Sequence, residues 1–157
     1  MNNLFDKVEK YVKESEQLKQ LEKIFQGKTI CEITCKECQT KKEKVEDYYH
    51  LALEVKNMAS LKESFAKFIS PEEIEDYFCE TCEKKAKSIT KQTFIQSAPE
   101  ILIINLQRII FDLNTFQKVK VHSKLEFPDT LELHEFMHNT KEGPKIGNQD
   151  EMMTNEQ

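Results

Sequence analysis

The chain has 157 residues, 38 % hydrophobic and 32 % charged, with a formal net charge of −5. That is enough for one modest core, in a single domain or in part of a larger one. Arg108 is the only arginine and the lysines alternate with glutamates, which excludes the arginine-rich face of a nucleic-acid reader; nor is there an apolar run of about eighteen residues to span a membrane.

The start, "MNNLFDKVEKYVKESEQ", is charged and periodic and has no apolar signal core. The expected location is therefore the cytoplasm or nucleus, where thiols stay reduced. Leu4, Val8, Tyr11, Val12, Leu18 and Leu21 fall at helical spacing, which predicts an amphipathic helix from about Leu4 to Phe25. Past Gly27, "KTICEIT" reads as a strand. "EDYYHLALEV" places Tyr49, Leu51, Leu53 and Val55 on one face of a half-buried strand. "SLKESFAKFIS" opens with Ser60 three residues before Glu63, a capping-box pattern. Leu61, Phe65 and Phe68 continue at helical spacing until Pro71 stops the helix. "KSITKQTFIQ" alternates as a strand. "EILIINLQRIIF" is almost unbroken in its apolar character, which suits a central strand buried on both faces. "KVKVHSKLEFP" alternates again. From about Asn139 the polar, aperiodic tail is expected to be disordered.

The chemistry lies in two Cys-x-x-Cys turns, "CKEC" at Cys35–Cys38 and "CETC" at Cys79–Cys82. A disulfide framework needs an oxidising compartment, and a thioredoxin-like redox pair normally stands alone. Structural zinc needs four thiolates or imidazoles in a closed tetrahedron, and two such turns facing one another supply them. The insert between the pairs is longer than usual, but loop-closure cost grows slowly with length. The expected ligands of one structural Zn²⁺ are Cys35, Cys38, Cys79 and Cys82. Cys31, on the strand leading to the first knuckle, reads as a small core residue or a bystander, and His50, His122, His134 and His138 are scattered without ligand spacing. A closed four-thiolate site keeps no open position and activates no water.

A helix leads into "IFQGKTICEITCKEC", then follow "YYHLALEV", "SLKESFAKFI", "CETC", "APEILIINLQRIIFD" and "LEFPDTLEL". This order resembles the ubiquitin-specific protease family of thiol deubiquitinases, and the likeness runs from about Leu4 to Phe136. The resemblance implies an α+β fold: part of a papain-like protease domain, with antiparallel fingers strands tipped by a four-Cys zinc ribbon, palm strands and an N-terminal helix. It divides the chain into a leading helix (about 1–25), zinc-ribbon fingers (26–98) and palm strands (99–138), a partial domain over 1–138. Residues 139–157 are left as the polar tail.

The resemblance also implies a ubiquitin partner. Fingers strands in this family cradle the body of ubiquitin, and the palm borders the channel for its tail. Ile109 and Phe111 would then line that channel, or else pack in the palm core. The family's catalytic cysteine lies in an Asn/Gly-rich segment upstream of the fingers, and its histidine in a Gly-His-Tyr-like motif after the "EFP" strand. These 157 residues match neither, and the palm's usual Leu-Lys-Arg-Phe reads Leu106-Gln107-Arg108-Ile109, the aromatic displaced to Phe111. No catalytic residue is assigned, and the chain alone is expected to bind ubiquitin weakly without hydrolysing it. The alternative is a stand-alone zinc-ribbon adaptor for another protein. The sequence specifies no oligomeric state.

Overall fold

A computed structural model describes residues 16–138, together with Lys7. The expectations for Leu4, Val8, Tyr11 and Val12 and for the tail from Asn139 lie outside the described residues. Among those described, no helix is long and apolar enough to cross a membrane.

Helix α1 (Glu16–Phe25) is the second half of the predicted helix, with Leu18, Leu21 and Ile24 half-buried. Strand β1 (Gly27–Cys35) follows at once. Gly27 is required by close approach: a Cβ there would lie 2.4 Å from the Tyr48 ring and 2.7 Å from the Ser97 carbonyl oxygen. β1 pairs antiparallel with β2 (Lys41–Tyr48) on one side and with β5 (Lys84–Ser97) on the other. β4 (Glu72–Cys79) closes the far side of β5, so the four-stranded sheet has the order β2-β1-β5-β4.

The two edge strands, "KKEKVEDY" and "EEIEDYFC", carry no strand signal in the sequence. Their charges are what an open sheet edge requires, since they keep its unpaired backbone solvated and discourage pairing with another chain. The predicted single strand "EDYYHLALEV", Glu46–Val55, is corrected: its first three residues are the end of β2. β2 ends at Tyr48, Tyr49 and His50 form a bend, and β3 (Leu51–Glu54) starts a different sheet. Leu51, Leu53 and Val55 are all buried, so the alternation was real, but Tyr49 does not belong to it.

Helix α2 (Leu61–Phe68) is capped by Ser60, whose Oγ accepts the Glu63 N–H at 3.2 Å. The return bond goes one residue further than in the usual capping box, from the Ala59 N–H to Glu63 Oε2 at 2.9 Å.

The apolar run "EILIINLQRIIF" is not one buried central strand. It divides into β6 (Ile104–Gln107), which pairs in parallel with β3, and β7 (Ile109–Asp112), which pairs antiparallel with β8 (Gln117–Lys120). The break falls at Arg108, whose N–H turns back to the Leu106 carbonyl at 2.8 Å. Its guanidinium donates to the carbonyls of Val121 and Ser123, so the one arginine ties the end of this hairpin down. β7 alternates exposed and half-buried, and β8 is exposed throughout. Of the predicted "KVKVHSKLEFP" strand only Lys118–Lys120 lies in a strand, as part of β8, and a 3-10 turn (Leu133–Phe136) occupies part of the region expected to be palm strands.

Two apolar clusters hold the described residues. The larger lies between the base of the four-stranded sheet, β3 and α2, and contains Ile30, Leu53, Phe65, Phe94, Ile95 and Phe136. Phe65 and Phe136 stack with ring centroids 5.0 Å apart. The smaller cluster is at the opposite end of the sheet: Cys35, Cys79, Ala86 and Ile89, with Ile33, Tyr77, Cys38 and Cys82 around them. Four of its members are the paired cysteines.

Candidate metal centre

Both Cys-x-x-Cys segments are hairpin turns at the same end of the sheet. Cys35 is the last residue of β1 and Cys38 lies in the turn to β2; Cys79 is the last residue of β4 and Cys82 lies in the turn to β5. Because β1 and β5 are neighbours, the two turns meet. In each knuckle the residue after the second cysteine is left-handed, Gln39 at φ 59° and Glu83 at φ 53°, which turns the chain back into the next strand. The first turn is closed by the Gln39 N–H to the Cys35 carbonyl at 2.9 Å and the Cys35 N–H to the Thr40 carbonyl at 3.0 Å.

The four sulfurs lie within 4.8 Å of one another. Cys35 Sγ is 3.9 Å from Cys82 Sγ, and Cys38 Sγ is 3.7 Å from Cys79 Sγ. Sulfurs on a tetrahedron with metal–sulfur bonds of about 2.3 Å stand about 3.8 Å apart, so this donor set fits a four-thiolate metal ion. A covalent sulfur pair is far shorter, and all five cysteines are free. Cys35 and Cys79 are buried, and Cys38 and Cys82 are half-buried. The Thr40 hydroxyl, 3.2 Å from Cys38 Sγ, and the Thr40 backbone draw the Cys38 thiol down to about 6. Its neighbour Cys38 then helps push Cys82 up to about 12, with desolvation adding to the effect. Four thiolates this close need a cation, and a metal that binds here must displace the remaining protons. Cys31 is outside the cluster, in mid-β1 opposite Lys44 and Thr93.

Not every histidine is idle, as the sequence reading had it. His138 Nε2 lies 2.8 Å from Glu32 Oε1, its ring packs edge-on to Phe94, and its backbone N–H donates to Ile95. Glu32 also accepts from Lys41 at 2.6 Å, and Lys41 lies 3.1 Å from Glu43. Glu32 and Glu43 are direct cross-strand partners, and the lysine relieves their repulsion. Burial pushes the Glu32 carboxyl up, but the hydrogen bonds with Lys41 and His138 outweigh it and hold the group below its ordinary range. With an amine between its carboxylates, this second cluster is an ion-pair network and not a cation site. Ile109 and Phe111 are far apart in sequence from the thiols, and both are exposed, 67 % and 55 %. Among the described residues they do not pack in a palm core.

A family profile described as "Ubiquitin carboxyl-terminal hydrolase" matches residues 1–150. The chain is similar to ubiquitin carboxyl-terminal hydrolase 47 of Drosophila melanogaster, 29 % identical over 144 residues that cover 86 % of this chain and 9 % of that protein. It is also similar to ubiquitin carboxyl-terminal hydrolase 15 of Saccharomyces cerevisiae, 32 % identical over 142 residues, 85 % of this chain and 11 % of that one. Among solved structures, the SAGA Ubp8/Sgf11/Sus1/Sgf73 DUB module bound to ubiquitin aldehyde superimposes with a TM-score of 0.65 at 28 % identity. That match covers 74 % of this chain and 26 % of the other. The chain thus spans about a tenth of the curated relatives it matches and about a quarter of the solved neighbour.

Proposed function

The chain belongs to the ubiquitin carboxyl-terminal hydrolase family, and from that premise we propose that it supplies the fingers and part of the palm of a ubiquitin-specific protease, with the fingers closed by one zinc ion on Cys35, Cys38, Cys79 and Cys82. The carrying observation is the convergence of four sulfurs at tetrahedral spacing from two hairpin turns of one sheet. Bound there, zinc would be structural: a closed four-thiolate shell leaves no position for water or substrate. The residues of the chain do the rest. β1 and β5 carry the tip away from the main core. The exposed Ile109 and Phe111 on β7 offer further apolar surface.

In the complete protease this part would help grip ubiquitin while the chemistry is performed by a cysteine and histidine that these residues do not match. Acting alone, the chain is proposed to engage ubiquitin without hydrolysis. An interface deprived of most of its surrounding domain loses area and pays more for ordering. The expected dissociation constant is roughly tens of micromolar to millimolar. The adaptor reading is less well supported, because the family match extends along residues 1–150, far beyond the ribbon itself.

An NMR titration of labelled ubiquitin with the zinc-loaded chain tests this. Shifts on the globular face of ubiquitin, lost on chelation, are expected, and a ubiquitin C-terminal fluorogenic substrate in the same sample should stay intact. No shifts at millimolar chain would overturn the binding role, and turnover would overturn its passive character.

A further inference from the structure

The two knuckles also hold one another by charge. Glu37 sits between Cys35 and Cys38 and reaches across the tip. Its Oε2 lies 2.8 Å from Nζ of Lys84, two residues past Cys82, and its Oε1 accepts the Lys87 N–H at 3.1 Å. In return Glu80, between Cys79 and Cys82, pairs with Lys42, which lies beyond Cys38 on β2. Lys36, the other residue between the first two cysteines, pairs with Glu73 on β4. Three of the four residues enclosed by the cysteine pairs therefore bond to the opposite hairpin. Elsewhere on the sheet, charges also pair locally, as Lys44 and Glu46 do along β2.

We propose that this reciprocal exchange is a charge clamp that keeps the four thiols gathered and slows the escape of their metal, with Glu37 as its principal positioning residue. The inference rests on the zinc reading of the site. A metal held by two hairpin turns leaves when one turn swings off with its two sulfurs, and here that motion must also break the cross-tip pairs. Glu37 is best placed to resist it, because it makes two bonds and its side chain is 26 % exposed, against 68 % for Glu73 and 78 % for Glu80. Less exposed charges are less screened by salt. Lys42 and Lys84 have a second effect. Four thiolates around a dication leave surplus negative charge, and these lysines bring positive charge to its border. Single exposed ion pairs contribute little, but a coupled set fixed on short turns acts together.

The test is the rate at which the zinc-loaded full chain gives up its metal to an excess of a chromophoric chelator. Glu37→Gln is expected to release zinc about five-fold faster at low salt, with the gap narrowing in molar salt. Glu46→Gln, a control on β2 away from the thiols, should match the wild type. The double swap Glu37→Lys with Lys84→Glu should release zinc more slowly than Glu37→Lys alone yet faster than the wild type, since it restores the pair across the tip but a lysine at 37 cannot accept the Lys87 N–H; general loosening of the tip would give no such partial rescue. Full zinc content in every variant with one common release rate would overturn the clamp and leave the zinc reading standing. A wild-type chain that takes up no zinc would overturn the zinc reading, and the clamp with it.

Discussion

Gln39 and Glu83 make the same turn in the two knuckles without the glycine that such a conformation favours. A left-handed backbone costs an L-residue roughly 1–2 kcal/mol, and a glycine would remove most of that while adding some freedom to the unfolded chain. Gln39 recovers part of the cost, since its side-chain amide donates to the Lys36 carbonyl at 2.8 Å. Glu83 has no such bond among the described residues. Glu83→Gly is therefore expected to stabilise the zinc-loaded chain by about 0.5–1 kcal/mol in urea unfolding, and Gln39→Gly by less. A clear loss of stability in Glu83→Gly would show that its side chain matters more than its backbone. At this scale the sequence was legible where the signal is local. The four thiols belong to turns of four residues, and Ser60 with Glu63 to one helical start. The link between Glu32 and His138 joins residues 106 apart, and only the fold brings them together.

Among the elements, β5 and α2 were readable because each is half-buried and shows the period of its own structure. β2 and β4 were not. Each lies at a sheet edge, has one neighbour only, and is coated with charge, so hydrophobic period cannot reveal it. The run "EILIINLQRIIF" failed in the opposite way. Its composition promises burial on both faces, yet Arg108 breaks it into two four-residue strands that each find one partner among the described residues. This difference can be measured. Ile109→Ser, at an exposed β7 position, is expected to change stability by less than about 0.5 kcal/mol. Phe65→Ala, wholly buried on α2 against Phe136, should cost about 3–5 kcal/mol. Chemical denaturation of both variants decides the matter. An Ile109→Ser loss comparable to that of Phe65→Ala would mean that β7 is a core strand and unavailable to a partner.

Across the whole molecule, the two apolar clusters divide the labour. The base cluster joins sheet, helix and the 3-10 turn, and its phenylalanines and aliphatics form a core without help. The tip cluster is different: among the described residues, besides the cysteines, it has only Ala86 and Ile89 fully buried, with Ile33 and Tyr77 half-buried beside them. So small a group cannot order two long hairpins, and on this reading the binding energy of the metal is the folding energy of the tip. The resemblance to ubiquitin-specific proteases carried this arrangement before any coordinates, and the family match bears out the membership. The central claim is that one zinc closes the fingers through all four thiols, and native mass spectrometry of the purified chain tests it most directly. The wild type should appear with one zinc per chain, and Cys79→Ser, which removes a buried ligand, should appear largely without it. A wild-type chain at its metal-free mass, or equal zinc in both proteins, would contradict the claim.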